Sequence, residues 1–169
     1  FDPETADTSR AATIRKGVRL SSQVPMIVAA HDRIRNGLDP LAPDPALGHA
    51  ANFLWLLKGT KPSQDAAKLL DTDLVLHAEH GSNASSFTAR GGIGTDANIH
   101  AAVTAAISAL SGPALGGAAE DVMRMAEEIG DPAKTPAFVK AKRANKEPFT
   151  GFGHRVYLAE DPRARHMRE

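Results

Sequence analysis

The chain has no cysteine, no net charge, no long apolar run and no alternating strand pattern, and each absence removes a class of protein. Without cysteine there is no disulfide framework, no thiolate metal site and no thiol nucleophile. This fits a reducing compartment and makes the cytosol the default location. Lys and Arg total 20 and Asp and Glu total 20, so formal net charge is zero. Nucleic acid and anionic membrane, which favour a clustered excess of basic side chains, are therefore not expected partners. The longest apolar runs, such as Phe53 to Leu57, are too short to cross a bilayer, and the opening residues Phe1 to Thr5 lack the basic-then-apolar layout of a signal peptide. No initiator Met stands at position 1 and Glu169 falls in a charged, helix-compatible stretch, so both ends read as cuts or as points where a longer polypeptide continues.

What is present is ordinary for a soluble globular protein, with 42 % hydrophobic and 24 % charged residues. A length of 169 residues suffices for one substantial domain, or one domain plus part of a second, and for a compact fold with a real core. Helical periodicity dominates, which predicts an all-α fold. A helix is expected over Thr8 to Leu20, and a second in which Pro25 takes the first helical position and Gly37 follows the last turn. After the Pro-rich connector Asp39 to Pro45, a third should run from Leu47 to Lys58, with Phe53, Leu54, Trp55 and Leu57 as a core face and Gly59 stopping it. Ser63 is placed to cap a fourth, which reaches His77 and is divisible at Asp71-Thr72-Asp73.

A further helix is expected from Thr95 or Asp96 to the break at Gly112-Pro113. Its residues Ala101, Ala102, Ala105, Ala106 and Ala109 are small enough for another helix, in this chain or a second subunit, to approach closely. Val122, Met125, Ala126 and Ile129 mark the next one, stopped by Gly130. Thr135 and Pro136 read as N-cap and first residue of a basic helix reaching Lys146. Gly112-Pro113 is the best candidate boundary between two domains, and no internal repeat is visible.

Two stretches concentrate chemistry. His77, Glu79, His80 and Asn83 gather two imidazoles, a carboxylate and an amide at a helix end. The cluster has three readings: a metal site, although its spacing differs from the zinc-protease patterns; hydrogen bonding at a helix end; or an organic-anion site in which imidazole and amide N–H groups hold carboxylate or carbonyl oxygens. The second stretch, Gly151 to Tyr157, puts His154 directly after two glycines that allow a ligand close to the backbone. Arg163 follows Asp161-Pro162. A guanidinium holds a carboxylate through paired hydrogen bonds and a fixed imidazole polarises a carbonyl, a combination suited to a 2-oxo acid. A plain loop with a surface Arg is the alternative. His31, His49, His100 and His166 have no convergent partners in sequence and are assigned to packing or solvent.

The strings Val75 to Arg90 (VLHAEHGSNASSFTAR), Ala102 to Pro113 (AVTAAISALSGP) and Gly151 to Tyr157 (GFGHRVY) with Asp161 to Arg163 occur together in the order seen in citrate synthases, and the chain resembles that family through nearly its whole length. The resemblance implies an all-α homodimer that condenses oxaloacetate with acetyl-CoA, the CoA thioester being a substrate and no other cofactor being needed. It implies that 1–111 is the central part of a large, dimer-forming domain and 112–169 the first part of a small one. By resemblance His80, His154 and Arg163 contact oxaloacetate, His154 polarising the ketone and Arg163 holding a carboxylate. Asn83 sets the geometry around His80, and Glu147 to His154 runs beside the CoA adenine. A 2-methylcitrate synthase would carry the same motifs.

The chain also departs from the family. Where the family reads GPLHGGANE, Gly112 to Glu120 reads GPALGGAAE, so Leu115 replaces the histidine that polarises the thioester and Ala119 replaces an asparagine. Leu158 stands where a basic CoA contact is usual. No residue of this chain matches the family's catalytic aspartate, and this chain alone is expected to be inactive. Leu115 also leaves room for a non-catalytic dicarboxylate-binding homologue. Gly91-Gly92-Ile93-Gly94 replaces small apolar helix formers, which predicts a kink or disorder there.

Overall fold

In the computed structural model, which describes residues 2–154 and 156–168, the protein is all-α. Arg155, inside the glycine–histidine motif, lies outside the described residues. Helix α1 spans Arg10–Arg35, α2 His49–Lys58, α3 Gln64–His77, α4 Ala84–Ile93, α5 Ile99–Leu110, α6 Gly116–Ile129, α7 Thr135–Ala144 and α8 Ala164–Arg168. A 3₁₀ turn, Pro132–Lys134, leads directly into α7.

Local signals account for most of the boundaries. The hydroxyl of Ser63 accepts from Ala66 N at 3.2 Å and starts α3, which runs unbroken through Asp71 to Asp73. Gly59 ends α2 at φ 73°, a left-handed conformation suited to glycine, with its N–H donating to Trp55 O at 2.8 Å. Asp131 caps the 3₁₀ turn by accepting from Ala133 N, so Thr135 is the first residue of α7 rather than its cap. The helix stops at Ala144, before Lys146 takes φ 56°.

Two expectations about helix continuity are corrected. Pro25 does not open a second helix, because α1 continues through it to Arg35. The missing N–H of Pro25 and the clash of its ring with the preceding turn are confined to one turn, and the bonds on either side carry the helix across. The Gly91-Gly92 pair is helical within α4, and the chain turns just beyond it, where Asp96 takes φ 60°. A Cβ on Gly92 would lie 3.5 Å from Ala102 Cβ, so the glycine is where α4 and α5 approach closely.

The chain forms two compact units. The first comprises 1–81, 98–100 and 161–169, the second 82–97 and 101–160. In the first, α2 packs on α1 and α3, and α8 packs on α3. The N-terminal residues are tied to α1 by a basic stripe: Arg15 and Arg19 pair with Glu4, Arg19 with Asp2, and the buried Lys16 ammonium donates to the carbonyls of Glu4 and Asp7. His100 joins this cluster with Nε2 3.5 Å from the Asp2 carboxylate, so it does have a polar partner.

The expected large core is smaller in the structure. Among the described residues the buried apolar side chains are Ala12, Ala29, Ala50, Leu56 and Ala102. The α2 face is otherwise half-buried, and Val18 and Ile27 of α1, Leu69 and Val75 of α3, and Ile107 and Leu110 of α5 are exposed. Apolar faces of this extent gain stability only when another surface covers them.

Candidate functional site

In the first unit, the chain leaves α3 at His77. Its Nδ1–H donates to Asp73 O at 2.8 Å, and the same nitrogen lies 3.2 Å from the Asp73 carboxylate. Glu79 accepts from Gly81 N at 2.8 Å, folding the loop back where Gly81 takes φ 78°. His80 lies on this loop, exposed. No group of three or more potential ligands able to hold a metal is gathered among the described residues, and His77 and Glu79 bond to different partners.

Arg163 lies in the same unit, just before α8. Its Nε donates to Asp161 Oδ1 at 3.0 Å, Nη2 to Oδ2 at 2.7 Å, and its backbone N–H to Oδ1 at 2.9 Å. These bonds, from the side chain first and then the backbone, hold the Asp161 carboxyl far below the usual carboxylate range, and the charge of His80 adds to the shift. Asp161 in turn raises Arg163, with a further contribution from Asp73. Thus His80 and Arg163 belong to one electrostatic cluster with Asp161 at its centre.

Asn83 and His154 lie in the second unit. Asn83 is the N-cap of α4, its Oδ1 accepting from Ser86 N at 2.9 Å and from the Ser86 hydroxyl at 3.3 Å. With the oxygen so engaged, what Asn83 can offer a ligand is its amide N–H. His154 follows Gly151 and Gly153, both at φ 85°. A Cβ on Gly151 would come within 2.8 Å of Val122 Cγ2, so conformation and space both require glycine there.

The backbone N–H groups of Val156 and Tyr157 both donate to His154 Nδ1, each at 3.1 Å. An imidazole nitrogen that accepts carries no proton, so the neutral ring must carry its hydrogen on Nε2. Tyr157 stacks on the ring with centroids 4.2 Å apart and planes at 21°. The residue is therefore fixed in tautomer and in plane, as a donor to a carbonyl oxygen must be. Leu115 occupies the N-cap position of α6 without a side-chain cap bond, and its apolar side chain has no hydrogen to donate.

Sequence reasoning singled out His80, Asn83, His154 and Arg163 but gave Asp161 and Tyr157 no part. The signal for each was short-range: a carboxylate two residues before an arginine, and an aromatic ring three residues after a histidine.

A family model, citrate synthase, C-terminal domain, matches residues 1–169. Citrate synthase 2 of Bacillus subtilis is 46 % identical over 169 residues, which is 100 % of this chain and 45 % of that protein. The 2-methylcitrate synthase of Mycobacterium tuberculosis is 44 % identical over 167 residues, covering 99 % of this chain and 42 % of its own length. The citrate synthase of the archaeon Thermoplasma acidophilum, solved as a ternary complex with carboxymethyl coenzyme A and oxaloacetate, superposes with a TM-score of 0.83 at 28 % identity, over 95 % of this chain and 44 % of that one. The chain thus spans less than half the length of these relatives.

Proposed function

The chain belongs to the citrate synthase family, and from that premise we propose that the protein containing it condenses acetyl-CoA with oxaloacetate to give citrate and free CoA. The observation that supports this reading is the fixed ring of His154, an Nε2–H donor held by Val156, Tyr157 and the Tyr157 stack. In the reaction the acetyl methyl carbon, once deprotonated, attacks the ketone carbon of oxaloacetate, and the ketone oxygen becomes negative. His154 Nε2–H stabilises that oxygen, since a donor in place before charge develops needs no reorganisation as the bond forms. Arg163 pairs with a substrate carboxylate, and His80 and the amide N–H of Asn83 donate to its oxygens. Water then cleaves the citryl thioester and CoA leaves. No residue of this chain is assigned the role of base.

The remaining parts of the reading follow the family. We take 1–111 as large-domain and 112–169 as small-domain sequence, and the protein as a cytoplasmic homodimer needing no resident cofactor. The small side chains and exposed Ile107 of α5 support a helix partner, and no described helix is long and apolar enough to cross a membrane. A 2-methylcitrate synthase is the second reading, favoured by the Mycobacterium tuberculosis relative at 44 % identity.

Thiol release from acetyl-CoA by the full-length protein with oxaloacetate tests the function, and no release above background would sink it. Propionyl-CoA in the same assay decides the acyl preference: a higher kcat/KM with propionyl-CoA than with acetyl-CoA selects the second reading.

A further inference from the structure

We propose that Asp161 is the positioning residue of Arg163: by taking the Nε–Nη2 edge of the guanidinium it turns the remaining Nη1 end toward a carboxylate of a 2-oxo dicarboxylic acid. The inference rests on the function proposed above and adds a residue to that site.

A guanidinium has five N–H donors arranged along two edges and an end, and it is planar, so fixing one edge fixes the others. Asp161 accepts from Nε at 3.0 Å and from Nη2 at 2.7 Å, the paired geometry in which the ring of atoms is coplanar. The carboxylate is itself anchored, because Oδ1 also accepts from the Arg163 backbone N–H at 2.9 Å. Between the two residues Pro162 restricts the backbone, so the clamp is built into three consecutive positions. Both side chains are substantially shielded, at 25 % exposure for Arg163 and 30 % for Asp161. What Asp161 leaves unused is the pair of Nη1 hydrogens and the second Nη2 hydrogen.

The charges around the clamp agree with this role. Asp161 stays ionised because Arg163 and then His80 favour its charged form, so the clamp holds at any pH at which the enzyme works. Asp73 adds a second negative charge facing Arg163, and His77 bonds to Asp73 in turn. Arg163 is thus pre-oriented before any ligand arrives, which lowers the ordering cost of binding. Asp161 touches no reacting atom, and its effect should fall on capture of the substrate.

The alternative role is opposite in sign. In that role the Asp161 carboxylate competes with a substrate carboxylate for Arg163, and removing it tightens binding. Steady-state kinetics on the full-length protein separates the two. Asp161→Asn should raise KM for oxaloacetate by about tenfold or more, the scale expected for loss of a charged hydrogen-bond pair. KM for acetyl-CoA and the melting temperature should stay near their original values, and Asp161→Glu should recover part of the loss. An unchanged or lowered KM for oxaloacetate in Asp161→Asn overturns the proposal. If Asp161→Asn fails to fold, Asp161→Glu and Asp161→Ser are judged by the same KM criterion. If the unsubstituted protein releases no thiol, the function is wrong, and the calorimetric Kd for oxaloacetate of the unsubstituted and Asp161→Asn proteins carries the test. Absence of oxaloacetate binding by the unsubstituted protein overturns both.

Discussion

Tyr157 stacks on His154 at a centroid separation of 4.2 Å, while its own backbone N–H donates to the Nδ1 of the ring it covers. One residue therefore fixes both the plane and the tautomer of the imidazole. Replacing His154 by Ala should lower kcat for thiol release on the order of a hundredfold to a thousandfold, the scale seen when a donor to a developing oxyanion is lost. Tyr157→Ala should lower it less, because the backbone bonds to Nδ1 survive the loss of the ring. Equal losses in the two variants would mean that, without the ring, the backbone bonds to Nδ1 do not hold the imidazole in place.

Leu115 stands at the N-cap of α6 with no side-chain bond to the helix. A histidine at this position would supply the N–H that a thioester oxygen needs as it gains negative charge. Leu115→His in the full-length protein should raise kcat by about a hundredfold. If turnover does not change, the chemistry does not pass through this position, or the accompanying change at Ala119 also has to be reversed.

The all-α architecture was legible in the sequence, as were helix ends set by single residues. Ser63, Gly59 and Gly130 act on their own neighbours, so short windows suffice to see them. Pro25 misled because a proline is a strong signal taken alone, whereas its cost is local and the 26-residue α1 continues on both sides of it. Gly92 misled for a different reason. It lies beside Ala102, ten positions away, and propensity takes no account of such a neighbour. Burial was the least legible property, since periodicity marks an apolar face but not what covers it; Leu69 of α3 and Leu110 of α5 are apolar and exposed. At the site, motif order named candidate residues. The clamp on Arg163 and the lock on His154 depend on angles that spacing does not encode.

Acid should loosen the N-terminal clasp. Hydrogen bonds from Arg15, then from Arg19, lower the Glu4 carboxyl from 4.5 to about 2. A group whose folded pKa is depressed contributes stability above its unfolded pKa and loses it as pH falls through the folded value. The contribution of Glu4 is therefore complete above about pH 4.5 and disappears toward pH 2. Glu4→Gln should lower the melting temperature at neutral pH and flatten its dependence on pH across that window. A variant whose melting curve keeps the original slope between those limits would mean that Glu4 does not carry the dependence.

Gly151 lies against Val122, where an added Cβ would come within 2.8 Å of Cγ2, and its φ of 85° is unfavourable for any side chain. Gly151→Ala should therefore destabilise the protein through two separable effects, backbone strain and collision, for a total of about 2 to 4 kcal/mol. A double-mutant cycle tells them apart. Val122→Ala alone removes the colliding methyl groups from an exposed position of α6, so it should cost little. In the double variant the collision is gone and the strain remains, so Gly151→Ala should then cost about 1 to 2 kcal/mol. A coupling energy near zero would mean that the loop shifts away from α6 at no cost. That outcome would bear on function, because Gly151 begins the turn that presents His154. A loop free to shift would carry the imidazole with it, and Gly151→Ala would then lower kcat while costing only the backbone strain. If the turn is rigid, stability falls first, and the activity of the molecules that remain folded is preserved.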